Sequence, residues 1–208
     1  MHLSEGVLSA PVLASGAALA AAGTAVGLKK LDYDKIANVG MLSAAFFVAA
    51  LIHVPLGPAS VHLIFNGLVG TLLGWTAFPA ILVALILQAM LFQFGGITTL
   101  GVNTIIMALP AVLGYYLFGR LIAIWPGKSM LAGFICGFGA VLLSALLLGL
   151  TLVLTGESFS IIAKLVVLAN VPVMIIEGIV TAFCIGFLKK VRPEMLPFST
   201  TFSPDNST

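Results

Sequence analysis

Long apolar runs follow one another along almost the whole chain, separated only by short polar or glycine-bearing turns. The 208 residues are 61% hydrophobic and only 8% charged, whereas a soluble domain carries about 25% charged residues. A water-soluble fold of this size cannot bury so much apolar surface, so the runs predict membrane-spanning helices. A transmembrane β-barrel would instead show short segments of alternating apolar and polar residues. The predicted fold class is therefore all-α, a polytopic integral membrane protein.

The number and direction of the spans follow from length and charge. A hydrocarbon core about 30 Å thick needs roughly 20 helical residues, which predicts seven spans, over residues 9–28, 36–53, 60–74, 78–94, 102–119, 129–154 and 161–188. Lysine and arginine concentrate in the loops at 29–35 and 120–128 and after the last span. Because basic loops stay in the cytoplasm, we expect the N-terminus outside, the C-terminus inside, and a multi-pass protein of the inner (plasma) membrane.

The domain organisation is simple. Residues 1–192 are expected to form one transmembrane domain. The polar, proline-bearing stretch 193–208 is expected to be a disordered cytoplasmic tail.

Several functional classes are disfavoured by what the sequence lacks. The net charge is only +2 and no basic patch lies outside the short loops, so nucleic acid is not an expected partner. No Ser/His/Asp set or paired carboxylates fall on one face, which argues against an enzyme, and no GxxxxGK[ST] motif for ATP is present. A proton-coupled secondary transporter would need embedded carboxylates and inverted repeats, and only Glu177 is available. That transporter and a non-transporting structural subunit remain the alternatives.

The first two residues carry the most specific chemistry. Because His2 is bulky and no basic segment precedes the first apolar run, we expect Met1 to be retained with a free amine. That amine, the His2 amide nitrogen and His2 Nδ1 can close a five- and a six-membered ring around one ion. Three nitrogens in a plane favour Ni(II) or Cu(II) and accommodate Co(II), whereas Zn(II) prefers a tetrahedron. A Met-His start also occurs by chance, without any bound metal.

A fourth ligand must come from elsewhere in the chain. The protein has three histidines, and all of them fall on the predicted outer face. His53 and His62 are therefore the candidates for the open corner of the plane. His53, beside Pro55, also suits a plain interfacial position, whereas His62 begins a span, where an ionisable group is a functional candidate.

Four stretches together resemble a known family. MHLSEG, PLGPASVHLIFNGLVG, LILQAMLFQFGGITTLGVNTIIM and VPVMIIEGIVTAF are similar to the CbiM/NikM type of membrane protein. These are the cobalt- or nickel-binding components (S components) of energy-coupling factor (ECF) transporters, and the resemblance covers about residues 1–190.

The resemblance implies a ligand set and its supports. The metal ligands would be Met1, His2 and His62, with His53 in a supporting tier. Glu5 would orient an imidazole or balance the ion's charge. Asn103 would hold the terminal segment over the site, although it also suits a helix N-cap.

Two polar residues in the last predicted span lie outside this ligand set. Asn170 stands where many relatives would have a histidine. Glu177 is expected in the inner half of the membrane, far from the outer site, in structural pairing or in contact with a partner.

The resemblance also implies how transport is driven. No permanent cofactor is expected, and Co²⁺ or Ni²⁺ would be the transported substrate. The expected partners are a transmembrane coupling subunit, two cytoplasmic ATPases and a small auxiliary membrane protein. Ala14, Ala18 and Ala22 recur every four residues on the first span, and such a small-residue stripe would suit either the coupling subunit or internal helix packing.

Overall fold

The computed structural model describes residues 2–51, 53–56, 59–125, 127–156 and 159–197, with side-chain positions for all of these except 53–56 and 59–61. Across these residues the architecture is helical, with one short β-hairpin. The elements in chain order are α1 (Ala10–Lys29), α2 (Ile36–Ala49), β1 (His53–Leu56), β2 (Ala59–His62), α3 (Asn66–Leu73), α4 (Ala77–Phe92), α5 (Leu100–Ile124), α6 (Ser129–Thr155), α7 (Ser160–Ala169) and α8 (Val171–Val191). Single 3₁₀ turns form at Tyr33–Lys35, Gly74–Thr76 and Pro193–Met195.

Judged by length and apolar composition alone, five helical segments among the described residues suffice to cross a membrane: Ala10–Lys29, Asn66–Phe92, Leu100–Ile124, Ser129–Thr155 and Ser160–Val191. The chain is therefore a polytopic membrane protein. Helix α2 has only 14 residues, which span roughly 21 Å at 1.5 Å per residue and fall short of the hydrocarbon thickness. The count of seven spans and the direction of the termini stay predictions.

The segment Asn66–Phe92 contains a reversal of direction at Gly74. Helix α3 runs alongside α5 in the same sense, because Asn66 contacts Met107 and the α-carbon of Gly70 presses against the backbone of Ala111. Helix α4 then runs back, beginning beside the end of α1, where Phe78 packs against Gly23. Gly74 has φ +56°, a left-handed conformation that favours glycine at such a turn.

The predicted third span begins later than expected. Residues 59–62 form strand β2 rather than helix, and β2 pairs antiparallel with β1 in the register His53–His62, Val54–Val61, Pro55–Ser60 and Leu56–Ala59. The helix starts only at Asn66, after residues 63–65 in non-helical conformation. The predicted all-α fold class holds, and the correction concerns only where the third span begins.

Opposite the hairpin, the basic loops gather at the other end of the helices. Lys30, Lys35, Tyr115 and Glu194 line one cavity of about 390 Å³. Lys30 Nζ also lies 5.7 Å from the centre of the Trp75 ring. The fold thus separates a basic end from the end that carries His2 and His62.

The C-terminal segment packs onto this basic end. Residues 193–197 were expected to belong to a disordered tail, but Leu196 is buried beside Phe118, Ile122 and Ile185. The folded part of the chain therefore reaches residue 197 rather than 192. The prediction for residues 198–208 lies outside the described residues.

Candidate metal centre

The amino-terminal segment is fixed by hydrogen bonds to the start of α5. Asn103 Oδ1 accepts from Leu3 N at 2.9 Å, and Asn103 Nδ2 donates to Leu3 O at 3.2 Å. Thr99 Oγ1 donates to the same carbonyl at 2.9 Å. Leu3 itself is fully buried. Both main-chain groups of the residue after His2 are thereby held, which limits where His2 can lie.

Asn103 is therefore a tether for the terminal segment and not a helix cap. Helix α5 begins at Leu100 and its N-cap position is Thr99, so Asn103 lies one turn inside the helix. Its side chain is buried and points to Leu3, as the hydrogen bonds show.

Glu5 anchors the same segment farther from the histidines. Its Oε1 accepts from Thr98 N at 3.1 Å and from Thr98 Oγ1 at 3.3 Å. The hydrogen bond from the Thr98 backbone N–H lowers the pKa of Glu5, and the Thr98 hydroxyl acts in the same direction. A depressed pKa means that this contact stabilises the fold above the ordinary carboxyl pKa and is lost only as the pH falls through the lowered value. Glu5 thus serves as an anchor of the loop at 95–99.

Two glycines in that loop let the terminal segment approach. Gly95 has φ +77° and Gly96 has φ +145°, a region that non-glycine residues rarely adopt. A Cβ on Gly95 would lie 2.8 Å from Asn103 Nδ2, and one on Gly96 would collide with the Glu5 side chain. The GGITT stretch is therefore shaped around residues 2–5.

His2 and His62 meet in the interior at this end of the molecule. Their side chains are 4% and 3% exposed, and the ring centroids lie 4.6 Å apart with the planes inclined by 23°. The Phe94 ring lies 6.3 Å from the His2 ring. Residues sixty positions apart in the chain thus stack two imidazoles face to face and shield them from solvent.

The orientation of His62 follows from one hydrogen bond. His62 Nδ1 lies 2.7 Å from the carbonyl oxygen of Leu63. A carbonyl oxygen can only accept, so Nδ1 carries the proton and, in the neutral ring, Nε2 carries the lone pair. Nε2 is therefore the nitrogen of His62 that can bind an ion.

The remaining predicted site residues are only partly located. Met1 lies outside the described residues. His53 lies opposite His62 in the hairpin register, but its side chain is outside the described part. No three His, Cys, Asp or Glu side chains cluster within the described part of the chain. The predicted centre needs only two such side chains, because its other nitrogens belong to the main chain.

Glu177 was expected far from the outer site, and that expectation is wrong. Its Oε1 accepts from Ile64 N at 2.6 Å and from Phe65 N at 2.8 Å, directly after the segment that carries His62. The sequence signal was a carboxylate within an apolar helix, but nothing in the sequence showed what it contacts. Asn170 lies at the junction of α7 and α8, where Nδ2 donates to Val166 O at 2.7 Å.

Comparisons with known proteins agree over nearly the whole chain. The profile of a family described as the cobalt uptake substrate-specific transmembrane region, CbiM, matches residues 2–195. A putative metal transport protein of Haemophilus influenzae is 42% identical over 208 residues, which cover 98% of this chain and 100% of the relative. The cobalt transport protein CbiM of Sorangium cellulosum is 32% identical over 214 residues, covering 94% of each chain.

A fused relative and a solved structure add to this. A putative fused nickel transport protein, NikMN, of Archaeoglobus fulgidus is 29% identical over 203 residues, covering 94% of this chain and 68% of the relative. The crystal structure of a transition metal transporter superposes with a TM-score of 0.82 at 28% identity, covering 93% of this chain and 94% of that one. The residues 2–195 matched by the family profile include His2, His62 and the helices α1 to α8 described above.

Proposed function

Because the chain belongs to the CbiM family of cobalt uptake transmembrane regions, we propose that it captures Co²⁺ or Ni²⁺ as the substrate-binding component of an ECF-type importer. The chain is a metal-transport membrane component rather than a catalytic enzyme. In this proposal the ion is captured at the outer face of the plasma membrane and is then taken up in an ATP-driven step.

The observation that carries the proposal is the buried pair of His2 and His62. Four nitrogens would surround the ion: the Met1 amine, the His2 main-chain nitrogen, His2 Nδ1 and His62 Nε2. The tether from Leu3 to Asn103 supports this arrangement, because it fixes the chain immediately after the chelating residue. Because both imidazoles are buried, an ion held at the edges of the two rings would be shielded from water.

The nitrogen set limits which ions fit. Two fused chelate rings impose a planar arrangement, which suits Ni(II) and can be enforced on Co(II). Zn(II) would have to give up its preferred tetrahedron. Since the amine, amide and imidazoles must all be deprotonated to bind, affinity falls as the pH is lowered.

The energy for uptake would come from partner subunits. By resemblance these are a transmembrane coupling subunit, two ATPases and a small auxiliary protein, and the fused NikMN relative supports an association with other transporter components. Ala14, Ala18 and Ala22 are exposed on α1, while Gly16 and Gly23 on the same helix pack inward. An exposed stripe of small residues suits close contact with a partner helix.

The proposal is tested by blocking the amine. Cells producing the chain with its partner genes are supplied with radioactive cobalt or nickel, and the chain carries one peptide tag at either its N-terminus or its C-terminus. Metal capture by the amine predicts that the N-terminal tag abolishes uptake and that the C-terminal tag does not. Equal uptake with both tags contradicts the proposal and favours a proton-coupled or structural role.

A further inference from the structure

Glu177 is a buried carboxylate in the middle of the membrane domain. Among the described residues it is the one Asp, Glu, Lys or Arg whose side chain is fully buried. Burying a carboxylate away from water is costly unless strong hydrogen-bond donors compensate it. The donors that compensate Glu177 therefore indicate what this residue does.

Both donors belong to the chain immediately after His62. Oε1 accepts from Ile64 N at 2.6 Å and from Phe65 N at 2.8 Å. Phe65 has φ +56°, an uncommon conformation for a bulky residue, and it turns the chain into α3. The carboxylate on α8 thus holds the link between β2 and α3.

One of these bonds reaches His62 through a single peptide group. The N–H of Ile64 and the carbonyl of Leu63 belong to the same planar unit. Glu177 accepts from the N–H of this unit, and His62 Nδ1 lies 2.7 Å from its carbonyl oxygen. The carboxylate, the peptide and the imidazole therefore form one continuous hydrogen-bonded series, and each bond polarises the next.

We propose that Glu177 is a positioning residue for His62, acting through the Leu63–Ile64 peptide, an inference that rests on the proposed function. The series fixes the ring orientation and the tautomer, so that Nε2 faces the ion. Metal-binding histidines commonly donate their second N–H to a carboxylate or a carbonyl, and loss of that support weakens binding. Here a carboxylate and a carbonyl act in sequence, and helix α8 contributes to the centre without supplying a ligand.

The test measures Ni²⁺ binding to the purified full-length protein by calorimetry, together with the visible absorption spectrum of the complex. Glu177→Ala should weaken Ni²⁺ affinity about 10- to 100-fold and shift the spectrum toward that of His62→Ala. Glu177→Gln keeps an acceptor oxygen for both N–H groups and should retain most of the affinity. Thr181→Val is the matched control, because it replaces another buried polar side chain one turn farther along α8. This variant should bind Ni²⁺ as the wild type does.

A double-mutant cycle separates positioning from general support of the fold. If Glu177 acts through His62, adding Glu177→Ala to His62→Ala leaves the affinity of the single His62 variant unchanged. An equal loss in both backgrounds overturns the proposal, as does wild-type affinity in Glu177→Ala.

Two further outcomes are covered by the same design. Should Glu177→Ala fail to fold, Glu177→Asp decides, because its shorter side chain cannot reach both N–H groups, and unchanged affinity in that variant overturns the proposal. Wild-type protein that binds neither Ni²⁺ nor Co²⁺ refutes the proposed function itself. Binding that is insensitive to Glu177 refutes only the positioning role.

Discussion

At the scale of single residues, the centre depends on where two imidazoles are held. The sequence indicated His2 from its position beside an amine, and it left His53 and His62 as candidates for the open corner. The structure buries His62 with its ring 4.6 Å from that of His2. Because Nδ1 donates to the Leu63 carbonyl, the lone pair of the neutral ring lies on Nε2. The local sequence around either histidine could not reveal the contact between them, because it joins residues sixty positions apart.

Substitution of the two hairpin histidines tests the choice of ligand. His62→Ala should lower Ni²⁺ affinity at least tenfold, because the fourth nitrogen is lost, whereas His53→Ala should change it little. The measurement is calorimetric titration of the two purified variants and the wild type. His53 is the matched control, since it faces His62 in the register of the same hairpin. Equal losses in the two variants would show that His62 is not the specific ligand.

At the scale of elements, the sequence predicted most helices but not their breaks. The apolar run from residue 60 suited a helix, yet residues 59–62 form a strand. The sequence could not predict this, because a short apolar run is compatible with either structure. The span predicted at 161–188 is two helices that meet at Asn170, and Pro172 stands in the first turn of the second, where its missing N–H is tolerated.

These breaks explain why the place of Glu177 could not be predicted. Residues 63–65 are non-helical and lie against α8, so their free N–H groups are available to a side chain on that helix. A continuous third span from residue 60 would have used those N–H groups in its own hydrogen bonds.

Helix α1 allows a test of the partner surface. Ala18→Leu places a large side chain on the exposed stripe and should reduce co-purification of the chain with its partner subunits, while Ni²⁺ affinity stays as in the wild type. Ala123→Leu makes the same change at an exposed position on α5 and serves as the control. Normal assembly of the Ala18 variant would show that the stripe faces only lipid.

At the scale of the whole molecule, the fold separates two ends with different chemistry. One end buries His2 and His62, and the other gathers Lys30, Lys35 and Glu194 around a cavity. Apolar content and the distribution of basic residues were enough to predict a polytopic membrane protein with a basic end. A single sequence does not contain the packing of the helices on one another. It therefore could not predict the five long helical segments, the short α2 or the reversal at Gly74.

The central claim is that an ion is chelated by the amino terminus and completed by His62. The most direct test is calorimetric titration of Ni²⁺ and Co²⁺ into purified full-length protein whose intact Met1 has been verified by mass, compared with a variant carrying three alanines between Met1 and His2, which separate the amine from the imidazole by too many residues for fused rings. The account predicts one tight site in the wild type. It predicts loss of that site in the variant, because the insertion destroys the fused chelate rings. Undiminished affinity in the insertion variant would contradict it.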